Sequence, residues 1–199
     1  MKLSRELSRT CFLVITAWYF GARSIECGDH IPVERDPQYS EFQDLQKMFS
    51  ATGTYYMKYR TYLNESLAKC ISWTLVCTFG NGTILVRLAA RFQGRTIGFD
   101  VPVSLTTVPG HNASNAMVHK TSPDDVNETL YFLMYFQPNQ TCSVIRVPSF
   151  GNGCSLFVIE RLADEDVPEE CETIYRKNCP NITNLVYEPS CRNKTKKST

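Results

Sequence analysis

From Thr54 onward, apolar and polar positions alternate with a period of two, and turn-forming residues break the runs at short intervals. TYYMKYRTYL, residues 54–63, is rich in strand formers and ends at Asn64-Glu65-Ser66. KCISWTLVCTF, 69–79, leads into Gly80-Asn81-Gly82, a tight hairpin signal. TILVRLAARF, 83–92, places Ile84, Val86, Leu88, Ala90 and Phe92 on one face and Thr83, Leu85, Arg87, Ala89 and Arg91 on the other. RTIGFDVPVSL, 95–105, groups Ile97, Phe99, Val101 and Val103, with Pro102 marking an edge, a bulge or a frayed half. A weaker strand is expected over 113–120. TLYFLMYF, 129–136, is apolar on both faces, and TCSVIRV, 141–147, and CSLFVIE, 154–160, complete a set of eight.

Helical periodicity appears only outside this block. Pro32 and Pro37 punctuate a polar lead-in, then Ser40 to Phe49 reads as a short helix capped by Ser40, with Phe42, Leu45, Met48 and Phe49 on one face. A second helix is expected from about Pro168 to Cys179, followed by the extended run TNLVYEPSC. Short connections force antiparallel neighbours, and eight such strands close into a barrel without edges. The fold class is therefore all-β, an eight-stranded antiparallel up-and-down barrel with a short N-terminal helix and a C-terminal helix. A barrel of this size is filled by its side chains or holds one small ligand.

The N-terminus changes the compartment. Lys2, Arg5 and Arg9 precede the apolar run Cys11–Ala22, which is too short for a membrane span and has the form of a secretory signal peptide cleaved near Ser24. The mature domain then covers 25–191, with a basic tail over 192–199. Removing Lys2, Arg5, Arg9, Arg23 and Glu6 tips the 21 basic and 20 acidic residues of the whole chain to a slight acidic excess, which excludes a nucleic-acid partner. Removing Cys11 leaves Cys27, Cys70, Cys77, Cys142, Cys154, Cys171, Cys179 and Cys191, an even set expected to pair completely. Cys171, Cys179 and Cys191 lie too far apart for a zinc knuckle and read as a disulfide clasp stapled onto the barrel wall, so no metal or other cofactor is expected. Sequons at Asn64, Asn81, Asn112, Asn127, Asn139, Asn181 and Asn193 predict a glycosylated, secreted monomer.

TYYMKYRTYL, the cysteine opening the next strand at Cys70, CSLFVIE, CETIYRKNC and VYEPSC together resemble the tick salivary lipocalins of the histamine-binding protein family. The resemblance covers essentially the whole mature chain. It implies a calyx that sequesters small host mediators at a feeding site: biogenic amines such as histamine or serotonin, or eicosanoids such as leukotrienes. It also implies a Cys70–Cys191 bridge. Cys171 is left with Cys27 or Cys142 as partner, and Cys77, Cys154 and Cys179 with partners undetermined. Amine-binding members carry Cys-Asp and an aliphatic residue at the start of the clasp, where this chain has Cys171-Glu172-Thr173.

The two ligand classes need opposite chemistry. A protonated amine in a low-dielectric calyx needs an inward carboxylate and gains from aromatic faces. Asp100 and Glu160 are the strand carboxylates, with Tyr56, Trp73, Phe99 and Tyr131 as candidate walls. A lipid acid needs an inward cation and a long apolar lining. Arg60, Arg87, Arg91 and Arg146 are the candidates, although Arg87 and Arg91 share the face opposite the apolar one. Catalysis is not expected: His30, His111 and His119 lie in lead-in or loop-like surroundings, and the metalloprotease, hydrolase and phosphate-loop motifs are missing from the sequence. The alternative reading is a secreted interaction module that inhibits a host complement component or protease through its outer surface.

Overall fold

A computed structural model describes residues 31–80 and 82–192. The leader, Cys27, Asn81 and Asn193 lie outside the described residues. The strands are β1 (Thr54–Arg60), β2 (Lys69–Thr78), β3 (Ile84–Phe92), β4 (Arg95–Thr106), β5 (Ala116–His119), β6 (Thr129–Phe136), β7 (Cys142–Val147) and β8 (Gly153–Ile159). Each pairs antiparallel with the next, β8 pairs with β1, and β1 pairs with β2, so the sheet closes. Its inward positions form one apolar cluster that includes Tyr55, Met57, Trp73, Val86, Val101, Leu133, Ile145 and Phe157.

The seam between β1 and β2 has a particular construction. The two strands pair only over Thr54–Tyr56 and Ser72–Thr74, then separate. The clasp fills the gap. A two-residue strand, β9 (Asn184–Leu185), pairs with Tyr59 and Arg60 of β1, the Val186 amide donates to the Lys58 carbonyl, and the Cys70 amide donates to the Val186 carbonyl. Val186 is buried in the interior cluster, and the Cys70–Cys191 disulfide fixes the segment to β2. Outside, Arg91 donates to Ser190 at 2.9 Å, and Tyr187 donates to Asp164 at 2.7 Å.

The outer face of β6–β8 is also buried. Helix α2 (Glu169–Asn178) and the N-terminal segment pack on it through Val33, Ile174 and Tyr175 against Met134, Val144, Leu156 and Val158. Glu169, Glu170 and Glu172 in the first turn of α2 and Arg176 and Lys177 in the last complement its dipole. Disulfides Cys142–Cys171 and Cys154–Cys179 anchor both ends of the helix. This double burial explains why β6 reads as apolar on both faces.

One expectation needs correction and another is met in part. Cys77, on the outer face of β2 opposite Leu85, has no disulfide partner among the described residues, and Cys27, the one other cysteine of the mature set left over, lies outside them. The helix expected over Ser40–Phe49 is divided: a 3-10 segment runs Pro37–Phe42, and α1 is only Leu45–Ser50, capped by Asp44 rather than Ser40. Gln43 causes the break. Its fully buried amide donates to the Val33 and Met134 carbonyls and meets His111 at 2.7 Å, which holds its backbone outside the helical region.

Candidate ligand site at the barrel mouth

The two ends of the barrel differ. At one end α1 closes the floor: Leu45, Met48 and Phe49 are buried in the interior cluster, and Phe49 meets Trp73 edge-on at 5.5 Å. Trp73 in turn stacks on Tyr55, with ring centroids 4.5 Å apart. At the other end, where β1–β2, β3–β4, β5–β6 and β7–β8 connect, solvent reaches inward-facing residues. On the β3–β4 side Ile97 is 57% exposed although it faces inward with Ala90, and the inward pair Leu88 and Phe99 is half-buried. These side chains form an accessible apolar wall.

The remaining strands supply a polar wall. A bulge in β1 between Met57 and Tyr59 inserts Lys58 and inverts the alternation beyond it. Tyr55 and Met57 therefore point inward, Tyr59 points out to donate to Glu172 at 3.1 Å, and Arg60 points in beside Ser155. Arg60 is 4% exposed. One terminal nitrogen donates to the Leu63 carbonyl at 3.2 Å, its guanidinium lies 5.6 Å from the centre of the Tyr62 ring, and its Nε has no partner among the described residues. Burial lowers its pKa below the ordinary arginine value, and no ion pair among the described residues offsets its charge.

Two stacked aromatic pairs line this wall, and one of them meets the cation through Tyr62. Tyr62 stacks on Phe150 at 4.9 Å, shares a 2.6 Å hydrogen bond with Ser155, and lies against Gly153 so closely that a Cβ there would come within 2.8 Å of its ring. Burial raises the Tyr62 pKa. His119 stacks on Tyr131 at 4.3 Å, and its Nδ1–H donates to the Lys120 carbonyl at 2.8 Å in the neutral tautomer. Burial lowers the His119 pKa and raises that of Tyr131, so both are uncharged at neutral pH.

Several sequence-predicted site residues lie elsewhere. Arg87 and Asp100 face outward and pair bidentately at 2.6 and 2.8 Å, each favouring the other's charged form, so neither reaches the interior. Strict alternation around the inward Val86, Leu88, Phe99 and Val101 requires this. Tyr56 also faces outward, meeting Tyr187 edge-on, and its pKa is raised by burial and by the nearby Glu160 carboxylate. Glu160 follows the inward Ile159 and lies on that same outer side. Arg91 holds the clasp, and Arg146 forms a buried 2.7 Å ion pair with Glu34 on the barrel's outer face. Trp73, Phe99 and Tyr131 do face the interior. Asp100 is the only carboxylate on any described strand, so none of those strands aims an acid inward.

Two other features are separate from this site. A pocket of about 310 Å³ lies at the closed end, lined by Glu41, Phe42, Asp44, Lys47, Phe136 and Gln140. The cluster Cys70, Glu188 and Cys191 has its two sulfurs joined in a disulfide and is not a metal site.

Among solved structures, the chain is similar to the AM182 serotonin complex, with TM-score 0.55 and 13% identity, covering 78% of this chain and 90% of that one. It is also similar to apocrustacyanin C2, with TM-score 0.54 and 11% identity over 79% and 87% of the two chains. Japanin from Rhipicephalus appendiculatus, bound to cholesterol, gives TM-score 0.48 and 16% identity over 68% and 93%. The first two likenesses establish the lipocalin fold. No curated protein sequence matches. The family model described as tick histamine binding protein matches residues 33–193, so the chain belongs to the tick histamine-binding protein family.

Proposed function

We propose that this protein is a secreted, non-enzymatic scavenger that holds a small apolar carboxylic acid of the eicosanoid class in its barrel, with the acid head on Arg60, and so removes a host inflammatory mediator. One observation carries this reading: an inward cation without an ion-pair partner, beside an accessible apolar wall, on strands that aim no carboxylate inward. An uncompensated buried charge is costly, and a ligand carboxylate would supply both the countercharge and the acceptor that Arg60 Nε lacks. A protonated amine would instead meet a like charge. The AM182 complex contains serotonin, but transferring such a ligand here would require an inward acid, and Asp100 is committed to Arg87 outside.

Calorimetric titration of the mature, disulfide-intact protein tests the reading. Leukotriene B4 or a thromboxane analogue should bind one to one, with histamine and serotonin at least roughly a hundredfold weaker, and Arg60→Gln should weaken the acids by roughly ten- to a hundredfold. Tight amine binding without acid binding would overturn it. Silence toward every ligand would favour the interaction-module alternative.

A further inference from the structure

Two more hydrogen-bonding groups inside the barrel have no partner. Trp73 Nε1 is buried with no acceptor among the described residues, and so is the Ser143 hydroxyl. Both face the interior: Trp73 lies opposite the inward Tyr55, and Ser143 lies opposite the inward Phe157. Tyr55 stacks face to face on Trp73 and aims its hydroxyl at the Gln140 carbonyl, to which it donates at 2.7 Å, so it makes no hydrogen bond to the indole N–H. An indole nitrogen can only donate, and leaving such a donor buried and unpaired costs about 1–3 kcal/mol. Trp73 lies well below the mouth, and Ser143, opposite Phe157, lies between its level and that of Arg60. On β8 the level of Arg60 is marked by Ser155 and that of Tyr55 and Trp73 by Ile159. Four residues of strand separate them, about 13 Å, or on the order of ten carbon–carbon bonds of an extended chain.

We propose that the ligand is oxygenated at two separated points: an acidic head at Arg60, and a hydroxyl or carbonyl oxygen near the barrel floor that accepts the Trp73 N–H, with the Ser143 hydroxyl lining the path between them. This rests on the reading of Arg60 as the head-group anchor and adds a requirement to it. A plain fatty acid satisfies only the mouth, leaving Trp73 and Ser143 unpaired. An acid with an oxygen about ten to twelve carbons from its carboxyl satisfies both ends, so the barrel selects oxygenated lipids over their unoxygenated counterparts.

Paired probes separate the two claims. Dodecanoic acid, 12-hydroxydodecanoic acid and the methyl ester of the latter are titrated calorimetrically into the mature protein and into Arg60→Gln, Trp73→Phe and Ser143→Ala, each checked for native circular dichroism. The hydroxy acid should bind roughly tenfold more tightly than the plain acid. Trp73→Phe should abolish that preference while leaving plain-acid affinity within about twofold, and Ser143→Ala should reduce it. Arg60→Gln and the ester should each weaken binding without changing the preference for the hydroxyl. Equal binding of the two acids, as expected if an internal water already satisfies Trp73, would overturn the second anchor and leave the first intact. A preference that survives in both Trp73→Phe and Ser143→Ala would also overturn it. Failure of both acids to bind would remove the Arg60 reading and this one with it.

Discussion

His119 lies on the polar wall with Tyr131 stacked against it, the Lys120 carbonyl on its Nδ1–H, and the Glu128 carboxylate close enough to exert a weaker opposing pull. Burial dominates and lowers its pKa below the ordinary 6.5. The unfolded chain therefore takes up a proton at a higher pH than the folded one. The resulting stability is complete above about pH 6.5, falls as the pH drops from there toward the folded value, and is lost below it. Asp100, Asp125 and Asp164 have pKa values lowered beneath 3.8 by their partners, so their losses come at lower pH. Urea denaturation at pH 7.5 and pH 5 should show a drop for the native protein that is smaller in His119→Phe. An identical drop in both would show that His119 does not carry the effect. In the sequence His119 reads as lying in loop-like surroundings, whereas it ends β5, and nothing in the sequence marks Tyr131 as its neighbour. Arg60 was hidden for a different reason. The run Tyr55-Tyr56-Met57-Lys58-Tyr59 carries aromatics on both faces, and one bulged residue decides which face Arg60 joins. Alternation grouped Phe99 with Ile97, Val101 and Val103, but which face pointed inward, and the face of Trp73, came only with the closed barrel.

The strands follow the period-two pattern to within a few residues, since each wall position must be apolar inside and turn residues must separate the runs. The clasp is less local. Its cysteines announced a staple, but its insertion as part of the wall depends on β1 and β2 separating after three residue pairs, and neither strand's sequence encodes that divergence. The staple spans 121 residues of sequence, so its removal releases a long loop in the unfolded chain. A Cys70→Ala/Cys191→Ala double variant should lose about 4 kcal/mol of unfolding stability and should show faster amide exchange at Cys70's replacement and at Val186, the two amides that stitch the seam. Unchanged exchange at those positions, with or without a stability loss, would mean that Arg91 and Tyr187 hold the segment without the disulfide.

Over the whole molecule, barrel closure and the helix after β8 were legible because they follow from the strand count, connection lengths and cysteines, whereas the chemical asymmetry between the two ends was not. The mouth carries exposed apolar side chains: Leu63 and Leu67 in the β1–β2 connection, Ile97 in the β3–β4 arm, and Val126, 91% exposed, in the β5–β6 connection. Bare apolar rims of this kind favour self-association. Two sequons lie within the same connections, Asn64 next to Leu63 and Asn127 next to Val126, and both asparagines are exposed. Asn112 and Asn139 are exposed at the opposite end, and Asn181 follows α2. Sugars on Asn64 and Asn127 would cover the rim without filling the interior, because their side chains start from the connections and not from inward strand positions. Protein secreted from insect cells should therefore carry glycan at these two sites by glycopeptide mass spectrometry. An Asn64→Gln/Asn127→Gln variant should aggregate at lower concentration by light scattering, whereas Asn112→Gln/Asn139→Gln should not, and ligand affinity should stay within about twofold in both. Equal solubility of the two variants would separate the sugars from the rim, and a large affinity change in the first would place them in the path of the ligand.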